Sequence, residues 1–92
     1  MMTRTDWLEV GRNYYLKFTE TDLERVMTVI RYVLTRYVKD ESISAYNIEY
    51  RMKREGFKVL SSDCMKAFSL LTHKTLIDYS YEKKHSYLKQ VA

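Results

Sequence analysis

Several features that would place this chain in a familiar functional class are missing from its sequence. It has one cysteine, Cys64, so no disulfide can form within the chain, and a secreted disulfide scaffold is excluded. One cysteine and two separated histidines, His73 and His85, cannot assemble a zinc site. We therefore expect no metal and no cofactor. Cys64 is interpreted as a small buried thiol, with an intersubunit disulfide as the alternative.

Long apolar runs and catalytic motifs are missing as well. No run approaches the roughly 18 apolar residues that span a bilayer, and the start MMTRTDW lacks the apolar core of a signal peptide. There is no glycine-rich phosphate loop, no pair of carboxylates in apolar surroundings, and no Cys-His or Ser-His arrangement with catalytic spacing. We therefore expect a cytoplasmic protein that is not an enzyme and does not bind membranes.

The size and charge of the chain favour a small domain with a polyanionic partner. Its 92 residues, 46% hydrophobic and 30% charged, are typical of one globular domain. So short a chain leaves roughly 35–40% of its unfolded surface in water, which favours a partner subunit. Residues 1–41 carry seven basic and seven acidic side chains, whereas residues 42–92 carry nine basic and five acidic ones. The whole net charge of +4 therefore lies in the second half, which favours a polyanionic partner.

Two helices are predicted in the first half. Residues 3–18 place an aromatic stripe on one face, with Thr3 or Thr5 as the cap. A second helix runs from a Thr21-x-x-Glu24 capping box to about Val38, and its apolar arc is wider than one packing contact requires. The aromatic stripe of the first helix and the edge of the apolar arc of the second predict a homodimer interface. The alternative is that these side chains cover the core of the domain itself. The interface residues would be Trp7, Gly11, Tyr14, Tyr15, Phe18 and Val29.

A helix, a turn and a second helix are predicted over residues 44–73. Ser44 can cap a helix from Ala45 to Glu55 that follows a short strand at Ile43, and Gly56 ends this helix. The second helix, 61–73, begins with Ser61 as its cap. Its inward stripe is Cys64, Ala67, Phe68 and Leu71, which leaves Ser62, Asp63, Met65, Lys66, Ser69, Leu70 and His73 outward or sideways.

The period of the apolar residues changes from 3.6 to 2 after this helix. Ile77, Tyr79 and Tyr81 alternate with polar residues, a polar tip occupies 82–85, and a second strand returns over 86–91. The tip lacks a glycine, which favours a loop of about four residues in a hairpin over 76–91. The chain has nine tyrosines, which suggests base stacking, but their core and strand spacing favours a structural role.

Residues 43–91 resemble the winged helix-turn-helix family of transcriptional regulators, particularly the small forms of archaea and their viruses and plasmids. The resemblance is carried by ISAYNIEYRM, by Gly56 with SSDCMKAFSLL, and by HKTLIDYSYEKKHSYLKQV. Thr75 stands where many members have glycine, the hairpin lacks the Asp-x-Arg pattern of the multiple-antibiotic-resistance type, and the chain has no length for an effector domain. The implied fold is mainly α with a small β-hairpin, an α+β winged helix over 1–92 with an extra N-terminal helix.

The resemblance implies sequence-specific binding of double-stranded DNA. Helix 61–73 would enter the major groove, with Lys66 and Ser69 as the central base-reading residues, and the tip 82–85 would meet the backbone. Arginine is missing after Arg54, so the commonest bidentate contact to guanine is not available from this helix. The implied DNA-binding residues are Ser44, Ser62, Asp63, Met65, Lys66, Ser69, His73, Lys83, Lys84 and His85.

Two alternatives remain at this stage. His73 has a second interpretation, as a charge that interacts favourably with the end of its helix. A winged helix can also act as a protein-interaction module without specific DNA binding, with Asp63, Met65 and Leu70 as the partner-binding patch. No small-molecule effector is predicted in either case.

Overall fold

The computed structural model describes residues 3, 5–7, 9 and 20–89, which combine helices with a small antiparallel sheet. The predicted α+β class is therefore confirmed. No helix in the described ranges is long and apolar enough to cross a membrane. The elements are helix α1 (Glu20–Arg36), strand β1 (Ser42–Ile43), helix α2 (Ala45–Arg54), helix α3 (Ser61–His73), strand β2 (Ile77–Ser80) and strand β3 (His85–Leu88).

The described N-terminal residues belong to the start of a helix, since residues 5–7 and 9 are helical. The Thr3 hydroxyl accepts from the Asp6 amide at 3.2 Å, and the Asp6 carboxylate accepts from the Thr3 amide at 2.9 Å. Hydrogen bonds to the carboxylate, first from the Thr3 amide and then from the Thr3 side chain, lower the pKa of Asp6. The reciprocal bonds between Thr3 and Asp6 identify Thr3 as the cap. Trp7 is buried. Gly11, Tyr14, Tyr15 and Phe18, which complete the predicted helix and interface, lie outside the described residues.

Helix α1 is the central support of the fold, and it packs against both α2 and α3. Its bounds differ from the prediction. It already includes Glu20, so Thr21 lies inside the helix and is not its cap, and it ends at Arg36 instead of Val38. The apolar arc is covered on more than one side, as its width predicts, and Val29 at the edge of the arc is completely buried.

Helix α2 begins and ends through local interactions that the sequence predicts. The Ser44 hydroxyl accepts from the Asn47 amide at 3.1 Å and caps the helix. At the other end Gly56 has a φ of +94°, a left-handed conformation that glycine adopts without a steric penalty. The Gly56 amide then donates to Lys53 O at 3.1 Å and the Phe57 amide to Met52 O at 3.0 Å. This pair of bonds is the Schellman ending of a helix.

Helix α3 ends with the same pair of bonds but without a glycine. The Thr75 amide donates to Thr72 O and the Leu76 amide to Leu71 O, both at 3.0 Å. The left-handed position is therefore occupied by Thr75, with a φ of +58°. A β-branched residue is rarely found there, because its Cβ crowds the following backbone. The chain thus enters the hairpin at a strained residue.

The sheet has three antiparallel strands in the order β1-β3-β2. Strand β3 pairs with β2 in a register that sets Ile77 opposite Leu88 and Tyr79 opposite Ser86. Ser86 also lies opposite Ile43 of β1, which adds a third strand to the predicted hairpin. The loop between β2 and β3 is 81–84, the four-residue length that the sequence predicts. The returning strand ends at Leu88 and is shorter than predicted.

The core is formed where α3 packs on α1 and α2 and where the sheet closes one end. Cys64, Ala67 and Leu71 of α3 are buried as predicted, but Phe68 is only half-buried, and Leu70, predicted outside, is completely buried. The thiol of Cys64 is inaccessible, and burial raises its pKa to about 11. An intersubunit disulfide is incompatible with this position, so the interpretation as a buried thiol is confirmed.

A cluster of charged and aromatic groups joins the end of α1 to α2. The Tyr32 hydroxyl donates to Glu55, and Arg36 Nη1 lies 2.8 Å from Glu55 Oε1. Arg51 Nη1 lies 2.9 Å from Glu41 Oε2. Burial, reinforced by the bond to Glu55, raises the pKa of Tyr32 to about 12, whereas that bond lowers the pKa of Glu55. An open cleft of about 640 Å³ beside the cluster is lined in part by Glu41, Arg51 and Glu55.

Candidate nucleic-acid interface

The outer face of α3 carries a row of accessible side chains along its whole length, polar except for Met65. The spacing of Ser62, Met65, Lys66, Ser69 and His73 places them on one side of the helix. Ser62, Met65 and His73 are exposed, and Lys66 and Ser69 are half-buried. The row is therefore accessible from solvent while the opposite side of α3 packs into the core. Five of the predicted DNA-binding residues come together in this row.

Asp63 does not belong to the row, and its assignment as a DNA-binding residue is wrong. Its side chain is 1% exposed. Its Oδ2 accepts from Arg25 Nε at 2.9 Å and from the Leu60 amide at 3.0 Å. The bond to the carboxylate raises the pKa of Arg25 further. Asp63 therefore anchors the start of α3 to α1, and the sequence offered no signal for a partner so distant in the chain.

The other carboxylate oxygen of Asp63 has no partner. Oδ1 is buried, and within the described ranges no group donates a hydrogen bond to it. A buried carboxylate oxygen without a donor is energetically costly, so the two bonds to Oδ2 and the favourable position near the start of a helix must offset that cost. The arrangement is a fixed structural anchor for α3.

The start of α3 is also tied to the middle of α2. Ser61 was predicted to cap α3, but it is the first helical residue, and the Leu60 amide is satisfied by Asp63 instead. The Ser61 hydroxyl donates to Glu49 Oε2 at 2.7 Å, and Lys53 Nζ lies 2.6 Å from the same oxygen. The bond from Lys53, followed by that from Ser61, lowers the pKa of Glu49. These contacts hold the angle between the two helices.

The predicted protein-binding patch does not form as a surface. Asp63 and Leu70 are both buried, so neither can contact a partner without disruption of the core. Met65 remains, with 61% of its side chain exposed, and Leu60 beside the helix start is 54% exposed. The accessible apolar surface near the start of α3 thus consists of a different pair of residues.

The loop between β2 and β3 presents the second group of predicted DNA-binding residues. Lys83 and Lys84 are exposed in the loop, and His85 is half-buried where β3 begins. The Lys84 amide donates to Ser80 O at 2.7 Å, and the Lys83 amide to Ser80 Oγ at 3.2 Å. The loop backbone is therefore held at its base while both ammonium groups extend into solvent.

Ser44 is already engaged in the fold, as the cap of α2. The bond from Asn47 uses an acceptor lone pair of its hydroxyl, so the hydroxyl hydrogen stays available to an acceptor such as a phosphate oxygen. The cap and the predicted DNA contact are compatible for this reason.

The described part of the predicted dimer interface is not a surface. Trp7 is 2% exposed and Val29 is fully buried within this single chain. Neither side chain can pack against a second subunit, so the assignment of both residues is wrong. Their burial supports the alternative in which the stripe covers the core of the domain itself.

Four tyrosines of α2 and the hairpin are exposed. Tyr46 and Tyr50 on the outer side of α2 are 73% and 59% exposed, and Tyr79 and Tyr81 of the hairpin are 47% and 87% exposed. Alternation predicted one face for Ile77, Tyr79 and Tyr81, but it could not predict that only Ile77 of the three is buried. The hairpin tyrosines are the accessible residues that sequence reasoning missed.

No three metal-ligating side chains cluster in the part of the chain that the structure describes. Comparison with known proteins finds no matching family model, no matching curated protein and no matching solved structure.

Proposed function

We propose that this chain is a small winged-helix transcriptional regulator that binds double-stranded DNA sequence-specifically. Helix α3 would lie in the major groove and the hairpin tip, residues 82–85, would lie on the backbone. The observation that carries the proposal is the row of accessible side chains along α3, polar except for Met65, with the opposite side of the helix packed on α1 and α2. A helix fixed on one side and polar along the other is suited to a groove about 12 Å wide.

The order of the elements supports the proposal. A helix, a short strand, two helices joined by a turn and then a β-hairpin follow one another as the resemblance implies, and β1 adds to the hairpin as a third strand. Positive charge is in excess in the same half of the chain, residues 42–92. This excess favours the phosphate backbone as a partner.

The rigidity of α3 supports a role in reading sequence. Base recognition requires side chains on an element whose position is fixed. The Asp63–Arg25 contact joins the helix start to α1, and the Ser61–Glu49 contact joins it to α2. Both contacts lie on the inner side or the start of α3, so they leave the outer row accessible.

Within the row, Lys66 and Ser69 would reach base edges, and Ser62 with the first amides of α3 would hold a phosphate. No arginine follows Arg54, so the affinity of one subunit would be modest. Binding as a homodimer to a short inverted repeat in cytoplasmic DNA would compensate, because two half-sites add their free energies. With Trp7 and Val29 buried, the subunit contact must use other residues.

The test is fluorescence anisotropy of the purified protein with duplex DNA over a range of salt, followed by selection of the preferred site from random duplexes. We expect an affinity for mixed-sequence DNA that falls linearly with salt on logarithmic axes. Lys66→Ala should weaken binding to the selected site by about 1–3 kcal/mol. Lys83→Ala combined with Lys84→Ala should weaken binding to every duplex and reduce the salt slope by about 2.

Arg31→Ala is the matched control, since it removes an exposed positive charge from the outer side of α1. Unchanged affinity of both lysine variants, or equal losses in the control, would refute the proposal.

A protein-interaction module remains a second candidate function, and the exposure of Leu60 and Met65 favours it. Here we expect no DNA binding even at low salt, and a stable partner that is lost on Leu60→Ser with Met65→Ser. Salt-dependent binding of duplex DNA that survives both substitutions would exclude this second function as the main one.

A further inference from the structure

The two tyrosines of the hairpin, Tyr79 and Tyr81, form an accessible aromatic surface, with 47% and 87% of the residues exposed. The rings of Tyr79 and Tyr81 meet edge to face, with centroids 5.0 Å apart and planes at 84°. Tyr81 is 87% exposed and is the most exposed large hydrophobic residue described. Apolar ring surface left in water contributes nothing to folding, so the exposed part of this pair is available to a ligand.

The register of the sheet explains why this surface stays open. Tyr79 lies on the same face of β2 as Ile77, but Ile77 is buried whereas Tyr79 is 47% exposed. The residue opposite Tyr79 on β3 is Ser86, whose small side chain cannot shield a ring. The aromatic pair therefore continues the inner face of the sheet beyond the core.

The charges beside the pair favour a nucleic acid as the ligand. Lys83 and Lys84 follow Tyr81 within the same loop and are exposed. Glu82 offsets one of the two charges, and the exposed Asp78 offsets the other but alternates to the opposite face of β2 from Tyr79. An aromatic ring next to lysines offers a nucleotide a stacking surface for its base and a cation for its phosphate. Bases inside a duplex are stacked on each other, so only an unpaired or displaced base can use such a surface.

We propose that Tyr79 and Tyr81 form a stacking site for an unpaired DNA base, so that the hairpin favours DNA that is locally opened. This inference rests on the proposed function for the binding of DNA itself, and it adds a preference for unpaired bases at the wing. Tyr81 supplies the stacking ring, and Tyr79 fixes its orientation through the edge-to-face contact.

The test compares the affinity of the protein for a labelled duplex with that for the same duplex containing a short central bubble, at one salt concentration. We expect the bubble to bind about tenfold more tightly, the size typical of one stacked base. Tyr81→Ala should abolish this preference and Tyr81→Phe should retain it. Tyr46→Ala, which removes a tyrosine 73% exposed on α2, is the matched control and should leave the preference intact.

The outcomes separate this inference from the proposed function. Equal salt-dependent affinity for both DNAs, or a bubble preference unchanged by Tyr81→Ala, would overturn the stacking site and leave duplex binding in place. If the protein binds the bubble DNA but not the duplex, and Tyr81→Ala abolishes that binding, the stacking site is supported and the proposed recognition of double-stranded DNA is overturned. Binding of neither DNA would overturn both. Because Tyr81 is so exposed, circular dichroism and the melting temperature should show that the variants fold normally.

Discussion

Replacement of Thr75 by glycine should stabilise the protein, because Thr75 ends α3 in a left-handed conformation. That conformation costs a residue with a Cβ about 1–2 kcal/mol. Glycine loses about 0.5–1 kcal/mol more backbone entropy on folding, which offsets part of the gain. Within the described ranges the hydroxyl of Thr75 bonds to the neighbouring Lys74 O at an exposed position, so its loss adds little. The net expectation for Thr75→Gly is a gain of about 1 kcal/mol in the free energy of unfolding.

Urea and thermal unfolding followed by far-ultraviolet circular dichroism would measure this gain. In a domain of this size it corresponds to a rise in melting temperature of about 4–8 °C. Thr75→Ala is the control for loss of the side chain, and it should change stability much less because alanine keeps the Cβ. Gly56→Ala should have the opposite effect, a loss of about 1 kcal/mol, at the equivalent position of α2. No atom lies within 4 Å of the added Cβ, so that loss would come from the backbone alone.

The reasoning would be refuted if Thr75→Gly were neutral or destabilising while Gly56→Ala lost stability as expected. Such a result would mean that contacts of the threonine side chain outweigh the strain of its backbone.

Two further predictions concern buried side chains. Cys64 should react with a thiol reagent only when the protein unfolds, because its side chain is fully buried and its pKa is raised to about 11. Rapid labelling of the native protein would contradict the described core. Folding raises the pKa of Tyr32 from 10.0 to about 12, so the folded state is stabilised by the neutral form of this side chain. This stabilisation is complete below pH 10 and is lost as the pH rises through about 12. Stability measured from pH 8 to pH 12 should therefore fall less steeply in Tyr32→Phe, and an identical slope in both proteins would exclude Tyr32 as the cause.

Much of the local structure could be predicted from the sequence. Helix α3 has the predicted bounds 61–73, Gly56 has the positive φ that its position after a helix requires, and the hairpin loop has four residues. Each of these features depends on interactions within a few residues of the chain: the period of apolar side chains, the conformational freedom of glycine, and the length of a polar break. The cap by Ser44 belongs to the same class, since its partner Asn47 is three residues away.

Only the tertiary structure decided which side chains are accessible. Asp63 and Leu70 are buried because other helices cover them, and the partner of Asp63 is Arg25, 38 residues away in sequence. Conversely, Tyr79 is 47% exposed although it shares a strand face with the buried Ile77. Periodicity identifies the faces of one element, but the burial of a face is set by the elements that pack on it. Because of that packing, Asp63 is buried and cannot contact DNA, whereas Tyr79 and Tyr81 of the hairpin are accessible.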